Sequence, residues 1–417
     1  HAETKARWSS ISLFLHMANR LLGPKSEPQG VLYATGCGRT LPFVDLARNF
    51  SGGGVTVPAL LALEDGSVFH GVSIGASGEA TAELVVSTAA SGYQELLTDP
   101  ALAGQFLTLT YPMAGSVGVN AEDAESDAVV ARGLVVRELS PIVSNWRAEQ
   151  SLPEYLQQAG VVGIAGVDTR QITRLISAKG VMGACIQAGH IDEAAAIAAA
   201  KNVARATSWE GVNAPQHWQE GIWHWGQGFS QAQDNGPKVA VVDLGATRTL
   251  LRVLVEAGAK VSLVPATSTP EELAEYQGVV FSNGPGAAQE SPALPLAEWV
   301  LSQEKPVFGV GLGMRLLAVA QGAQEASIAA TYGASHPVRA EEDGQVVHTD
   351  QRSRYTLKAD TLPSQVTVTY TSLFDQSVQG IQWQNAPAQG FQGVPKGSVG
   401  SAGADTLLRD FVTALNA

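Results

Sequence analysis

The stretch "KPVFGVGLGMRLLAVAQG", Lys305 to Gly322, has the spacing of a device for covalent catalysis. An apolar run, Val307 to Val310, enters a Gly-x-Gly-x-Gly turn (Gly309, Gly311, Gly313), and a helical pattern closed by Gly322 leaves it. In a nucleophile elbow the central residue of such a turn is Ser or Cys, presented on a strained backbone to the substrate. Here that residue is Gly311, which has no side chain. The turn is not a nucleotide site either. Gly309-x-Gly311 is followed by Met314 where a dinucleotide fingerprint needs a third glycine, and no Gly-Lys-Ser/Thr phosphate loop occurs.

The elements that must hold this turn alternate between strand and helix from Lys238 onward. "VAVVDLG" reads as a buried strand. Thr247 to Gly258 reads as a helix with Leu250, Leu251, Leu254 and Val255 on one face, and "KVSLVP" and "GVVFSNGPG" follow as strands before the elbow. Apolar strands separated by helices of this length predict a mostly parallel sheet covered on both faces. Ligands of such sheets sit at the carboxyl ends of the strands, where "SNGPG" and "GVGLGM" both fall.

Upstream the pattern differs. From Pro58 to about Arg205 short strands and turns with a few helices predict an α+β domain; "ALLALEDGSVFHG" places two apolar runs around an Asp65-Gly66 hairpin signal. The segment Thr207 to Pro237 lacks a sustained period and holds four of the eight tryptophans, Trp209, Trp218, Trp223 and Trp225. It is expected to be a linker pinned to a surface by those rings, with a binding patch as the alternative. Lys5 to Leu22 carries Ile11, Phe14, Leu15 and Leu22 at helical spacing, an amphipathic stripe expected to dock on a partner chain, with an organellar targeting remnant or a helix packed on its own domain as the alternatives. The expected organisation is thus an extension (1–57), an α+β domain (58–206), a linker (207–237) and an α/β domain (238–417).

Composition limits the function classes. The 417-residue chain is 45% hydrophobic, enough for two or three domain cores, and no apolar run approaches the roughly 18 residues that span a bilayer. Net charge is −13 without a Lys/Arg cluster, so no nucleic-acid partner is expected. The two cysteines, Cys37 and Cys185, make neither a disulfide framework nor metal-ligand spacing, and no metal or cofactor is expected.

From Ala59 to the carboxyl end, about six-sevenths of the chain, the sequence resembles the small, glutamine-hydrolysing subunit of carbamoyl-phosphate synthetase. The amino-terminal half carries "LEDGSVFHG", "SGYQELLTDP", "LTLTYP", "GLVVREL", "SNWR" and "GVDTRQITRLI". The carboxyl half carries "DLGATRTLLRVLVEAG", "FSNGPG", "PVFGVGLGMRLLA", "SHPV", "SLFD", "QGIQW" and "FQGVP", which resembles a class I glutamine amidotransferase domain. The resemblance implies a Cys at the elbow where this chain has Gly311, and a His-Pro-Glu after Phe-Gln-Gly where it has Val394-Pro395-Lys396. It implies substrate contacts from His-Gln, here Met314-Arg315, from Asn-His-Gly-Phe, here Arg352-Ser353-Arg354-Tyr355, and from a Ser, here Ala101. Retained are the turn glycines Gly284, Gly286, Gly309 and Gly313.

With the nucleophile, base and orienting carboxylate all replaced, the expectation is a catalytically inactive pseudo-glutaminase. It would be kept as a structural or accessory subunit of a hetero-oligomeric complex, in a mitochondrion or plastid with the cytoplasm left open. The alternative is the non-hydrolysing small subunit of an ammonia-dependent synthetase. A different ligand at the same place, an anion held by Arg315, Arg352 and Arg354, requires those guanidinium groups to converge.

Overall fold

The computed structural model describes residues 56–204, 209–328, 335–351, 353–396 and 403–416. The amino-terminal part is built on a closed barrel of seven strands. These are β1 (Pro58–Leu63), β2 (Val68–Ser73), β3 (Gly78–Ser87), β4 (Phe106–Leu109), β5 (Gly133–Val135), β6 (Val162–Ala165) and β7 (Met182–Ala188), in the order β1-β2-β6-β5-β4-β3-β7. The Asp65-Gly66 signal does make the β1–β2 hairpin: Gly66 takes φ +88, and Asp65 Oδ1 accepts the Ser67 N–H at 2.9 Å. Pairs β3–β4, β4–β5 and β5–β6 are parallel, and the rest of the barrel is antiparallel. Leu61, Leu63, Leu84, Phe106, Val135, Ile164 and Ile186 fill the interior. The outer face is covered by helices, among them α1 (Tyr93–Thr98), whose Leu96 and Leu97 pack on Leu107 and Leu134.

The carboxyl-terminal part is one ten-stranded sheet. Its strands are β8 (Gln216–Trp218), β9 (Lys238–Asp243), β10 (Lys260–Pro265), β11 (Gly278–Phe281), β12 (Val307–Val310), β13 (His336–Ala340), β14 (Val346–Thr349), β15 (Val366–Ser372), β16 (Val378–Trp383) and β17 (Ala388–Phe391). They run in the order β8-β10-β9-β11-β12-β17-β16-β15-β13-β14. The centre, β10-β9-β11-β12-β17, is parallel, as the alternating pattern predicts, and antiparallel strands extend it at both edges. Helices α2 (Arg248–Glu256) and α4 (Ala404–Ala414) cover one face, where Leu250, Leu254, Leu408 and Phe411 are buried. On the other face lies α3 (Leu312–Val319), which leaves the elbow.

The segment read as a linker is an integral part of this sheet's edge. β8 pairs with β10, and Glu220–His224 forms a hairpin with Gly228–Gln231 whose strands are held to the end of α2 through Glu256, which accepts from Ile222 N–H and Ser230 Oγ. Trp218 packs on the core beneath, while Trp225 is 73% exposed. Short length and a register shift between Glu220 and Trp223 hide these strands from a periodicity search.

A loop of the first part caps a helix of the second. Glu125 O accepts the Arg248 N–H at 3.1 Å, and the Glu125 carboxylate accepts Thr249 N–H at 2.8 Å and Thr249 Oγ1 at 2.5 Å, satisfying the free donors of the first turn of α2. Arg248 also pairs with Asp127. Burial at this junction raises the Glu125 carboxyl above its ordinary value, with Asp99 adding to the rise while Thr249 and Arg252 oppose it. Because the folded value lies above the unfolded one, the unfolded chain ionises first as pH rises, and stability falls through the window just above the ordinary carboxylate value. Glu125→Gln keeps an acceptor for Thr249 and removes the charge, so denaturant titrations between pH 4 and 7 should show a flatter pH profile for that variant than for the parent. Glu125→Ala, which loses both bonds, should cost about 2 kcal/mol at neutral pH.

Candidate functional site

The elbow stands at the carboxyl end of β12. Gly311 takes φ +55 and ψ −108, a backbone that side chains disfavour, and its N–H donates to Phe391 O of the neighbouring β17 at 2.9 Å. The Leu312 N–H, which follows the position a nucleophile would occupy, donates to Asn283 Oδ1 at 3.1 Å. The flanking glycines are demanded by close backbone approach. A Cβ on Gly284 would lie 1.8 Å from Leu244 O, one on Gly309 2.5 Å from Met314 N, and one on Gly313 2.1 Å from Phe281 O. Gly286 is required differently, by φ +89. The "SNGPG" turn and the elbow therefore meet at the strand ends, as their sequence positions imply.

The residues aligned with substrate contacts serve the core. Met314 is fully buried against Gly390 of β17, and Ala101 is buried in the turn that Asp99 Oδ1 caps through the Ala101 N–H at 2.9 Å. Arg315 is 1% exposed. Its guanidinium pairs with Glu325, and its charge lies over the Tyr355 ring, 5.5 Å from the centroid. Burial pulls the Arg315 pKa below the usual guanidinium value, with Glu325 opposing the fall. The second oxygen of Glu325 accepts the Ala288 N–H at 2.7 Å, so Arg315 ties the elbow helix to the segment that leaves "SNGPG". Arg354 goes elsewhere: it grips Glu83 of barrel strand β3 bidentately, at 2.5 and 3.1 Å. The arginines at 315 and 354 thus do not converge, which removes them as a shared anion cradle; Arg352 lies outside the described residues.

At the positions aligned with the base and its orienter, Val394 is buried and its N–H bonds Asp350 O at 2.9 Å. The Lys396 N–H donates to Asp405 Oδ1 at 2.8 Å, and Lys396 Nζ lies 3.4 Å from Asp350 Oδ1. Lys396 also lines a polar cavity of about 200 Å³ at the domain junction, with Glu125, Arg147 and Arg252 among the walls. Arg147 there is engaged by Glu122 at 2.8 Å and Asp123 at 2.7 Å. Two reactive side chains found elsewhere, Cys185 and His336, are enclosed. Cys185 is enclosed in β7, its thiol pushed up to about 12 by burial and by the nearby Glu79. His336 Nε2 is 3.0 Å from Ser372 Oγ, and burial lowers its pKa to about 4. Sequence reasoning missed Asn283, Glu325 and Glu83, whose importance rests on partners that only the fold supplies; the "SNGPG" motif contained Asn283 but signalled its glycines.

Comparison with known proteins agrees with this arrangement. Residues 61–186 match the family model of the carbamoyl-phosphate synthase small chain, CPSase domain, and residues 240–414 match class I glutamine amidotransferases. A carbamoyl phosphate synthase small chain of Thioalkalivibrio sulfidiphilus is 43% identical over 368 residues, covering 85% of this chain and 96% of its own. The same-named protein of Vibrio parahaemolyticus is 41% identical over 370 residues, covering 85% and 97%. The chain belongs to the carbamoyl-phosphate synthase small-chain family.

That membership corrects two expectations. A catalytically inactive pseudo-glutaminase serving as an accessory body is overturned, together with its non-hydrolysing alternative, because relatives at about 40% identity over most of the chain are named as the small chain of carbamoyl phosphate synthase. The expectation rests on three positions, Gly311 at the elbow and Val394 and Lys396 after β17, whereas the motifs over the rest of the chain run in family order. An organellar setting loses its support as well, since these relatives come from bacteria. The proposed docking residues Ile11, Phe14, Leu15 and Leu22 lie outside the described residues.

The buried Arg315–Glu325 pair gives a direct test of the site's architecture. Arg315→Met strands Glu325 and should cost about 3–5 kcal/mol in urea unfolding. Adding Glu325→Gln, which keeps an acceptor for Ala288 and removes the stranded charge, should recover most of that loss.

Proposed function

We propose that this chain is the small chain of a carbamoyl phosphate synthase, active as a pair with a large chain. The observation that carries the reading is the family match over both halves, 61–186 and 240–414, joined here by a continuous domain junction. In its glutamine amidotransferase-like half the Leu312 N–H stands at a Gly-rich elbow, where Asn283 Oδ1 accepts it. Gly311 provides no atom for an acyl-enzyme on that residue, so a nucleophile acting on glutamine would have to come from another group.

Pairing needs a surface, and the exposed apolar side chains supply a candidate. The segment Pro112–Gly118 is hydrogen-bonded to Glu138–Asn145, and together they expose Met113, Val117, Ile142 and Val143. Beside them Trp146, 70% exposed, meets Trp225 edge to face at 5.0 Å between centroids. An exposed apolar group of this kind, anchored by two tryptophans, fits the centre of a protein interface and has no role in a solvated surface.

Coexpression of the full chain with a carbamoyl phosphate synthase large chain tests the proposal. A stable pair is expected that forms carbamoyl phosphate faster than the large chain does by itself, with glutamine and ammonium compared as nitrogen donors. Failure to pair, or a pair no faster than the large chain with either donor, would reject it. Within the pair, Trp146→Ala should weaken association about tenfold or more, read by surface plasmon resonance, while the melting temperature of the isolated chain barely moves.

A further inference from the structure

At the elbow, one carboxamide stands where two other groups would be expected. A Cβ built on Gly311 would lie 2.1 Å from Asn283 Oδ1 and 2.7 Å from Asn283 Cγ, so Asn283 occupies the volume of a side chain at 311. The same Oδ1 accepts the Leu312 N–H at 3.1 Å. That donor needs an acceptor, which assigns the facing atom as the carboxamide oxygen and not its nitrogen. The nitrogen, Nδ2, is then enclosed without a hydrogen-bond partner among the described residues, in a residue 4% exposed. An unpaired buried amide nitrogen is a cost, so the pose is held by the Leu312 bond and by packing while one of its polar groups goes unsatisfied.

We infer that Asn283 is a displaceable internal cap on the elbow. Its carboxamide oxygen takes, at the Leu312 N–H, the place of a substrate carboxamide oxygen, and it fills space that any side chain at residue 311 would need. Gly311 and Asn283 are therefore a matched pair. The atom in the way is the free end of a rotatable side chain, so an entering ligand evicts it rather than meeting a wall. Eviction also releases Nδ2 from its unsatisfied position, which lowers the cost of opening. The affinity of the elbow for a carboxamide is then set by how often the cap is out, since an apparent dissociation constant scales inversely with the competent fraction.

Thermal unfolding of the full chain tests the shared volume. Gly311→Ala should lower the melting temperature through both the positive φ and the Asn283 contact; in an Asn283→Ala background the 2.1 and 2.7 Å overlaps with the carboxamide are removed, only the 3.2 Å approach of the Cβ at 283 remains, and the drop should be smaller. Equal drops in the two backgrounds overturn the inference. Where Gly311→Ala does not fold, calorimetric titration with glutamine decides. A cap in place in about nine molecules of ten lowers apparent affinity about tenfold, so Asn283→Ala should bind glutamine about tenfold more tightly than the parent. Unchanged or weaker binding, including none in either protein, overturns it, and a residue with a merely structural role would not tighten binding when removed. The choice of glutamine rests on the small-chain reading, whereas the unfolding cycle does not. Failure of that reading shows in the pairing assay, and failure of the cap shows in the cycle.

Discussion

Three backbone approaches at the ends of the parallel strands govern the rest of the second domain. Gly284 lies against Leu244 O, Gly313 against Phe281 O, and Gly309 against the Met314 amide, each closer than any Cβ tolerates. They bring the ends of β9, β11 and β12 into contact and make the chain reverse into α3 without a gap. Everything at the elbow follows from that convergence. Gly311 is forced to positive φ, the Leu312 N–H is aimed at the "SNGPG" turn, and Asn283 is carried into reach of it. These glycines answer to geometry, which is why they persist where side chains around them differ from the family pattern.

Charged groups fix the frame around this point. Arg315 spans from the elbow helix to Glu325, and Glu325 reaches on to Ala288, so one buried pair joins the two glycine turns. Arg354 extends from the second domain to Glu83 in the barrel, and Glu125 returns the contact by capping α2. Buried pairs of this sort add little net stability compared with an apolar replacement, yet breaking one strands a charge. Their effect is positional. A shift of one domain against the other would unpair Arg354 and uncap α2 together, so the junction resists sliding through groups that all lose at once.

The fold was legible wherever local pattern and tertiary need agree. The β1–β2 hairpin at Asp65-Gly66, the buried face of α2 and the parallel centre of the large sheet all declare themselves by turn chemistry and period. Legibility fails where the decisive partner is distant in sequence. Nothing at Arg354 names Glu83, 271 positions away, and an arginine in a substrate motif reads as a ligand group until its carboxylate is found. The edge strand at Gln216–Trp218 fails for another reason: three residues are too few to establish a period, and their pairing with β10 is what makes them a strand. The elbow itself was read correctly as a turn, while the side chain that fills it lay in the neighbouring motif, hidden by the glycines beside it.

The inference from missing catalytic groups to missing function also has a physical weakness. A side-chain triad acts as a unit at one point, and its replacement at Gly311, Val394 and Lys396 is a statement about that point. A two-chain enzyme is a property of the pair, in which donors, domain junction and docking surface each contribute. The family match reaches both halves of the chain, and 85% of its length aligns with a relative at 43% identity, far beyond the three replaced positions. The tryptophans at 146 and 225 are 70% and 73% exposed. Their edge-to-face contact, 5.0 Å between centroids, holds a ring from each half of the chain side by side at one surface, so the two halves are joined there by aromatic packing as well as by charge.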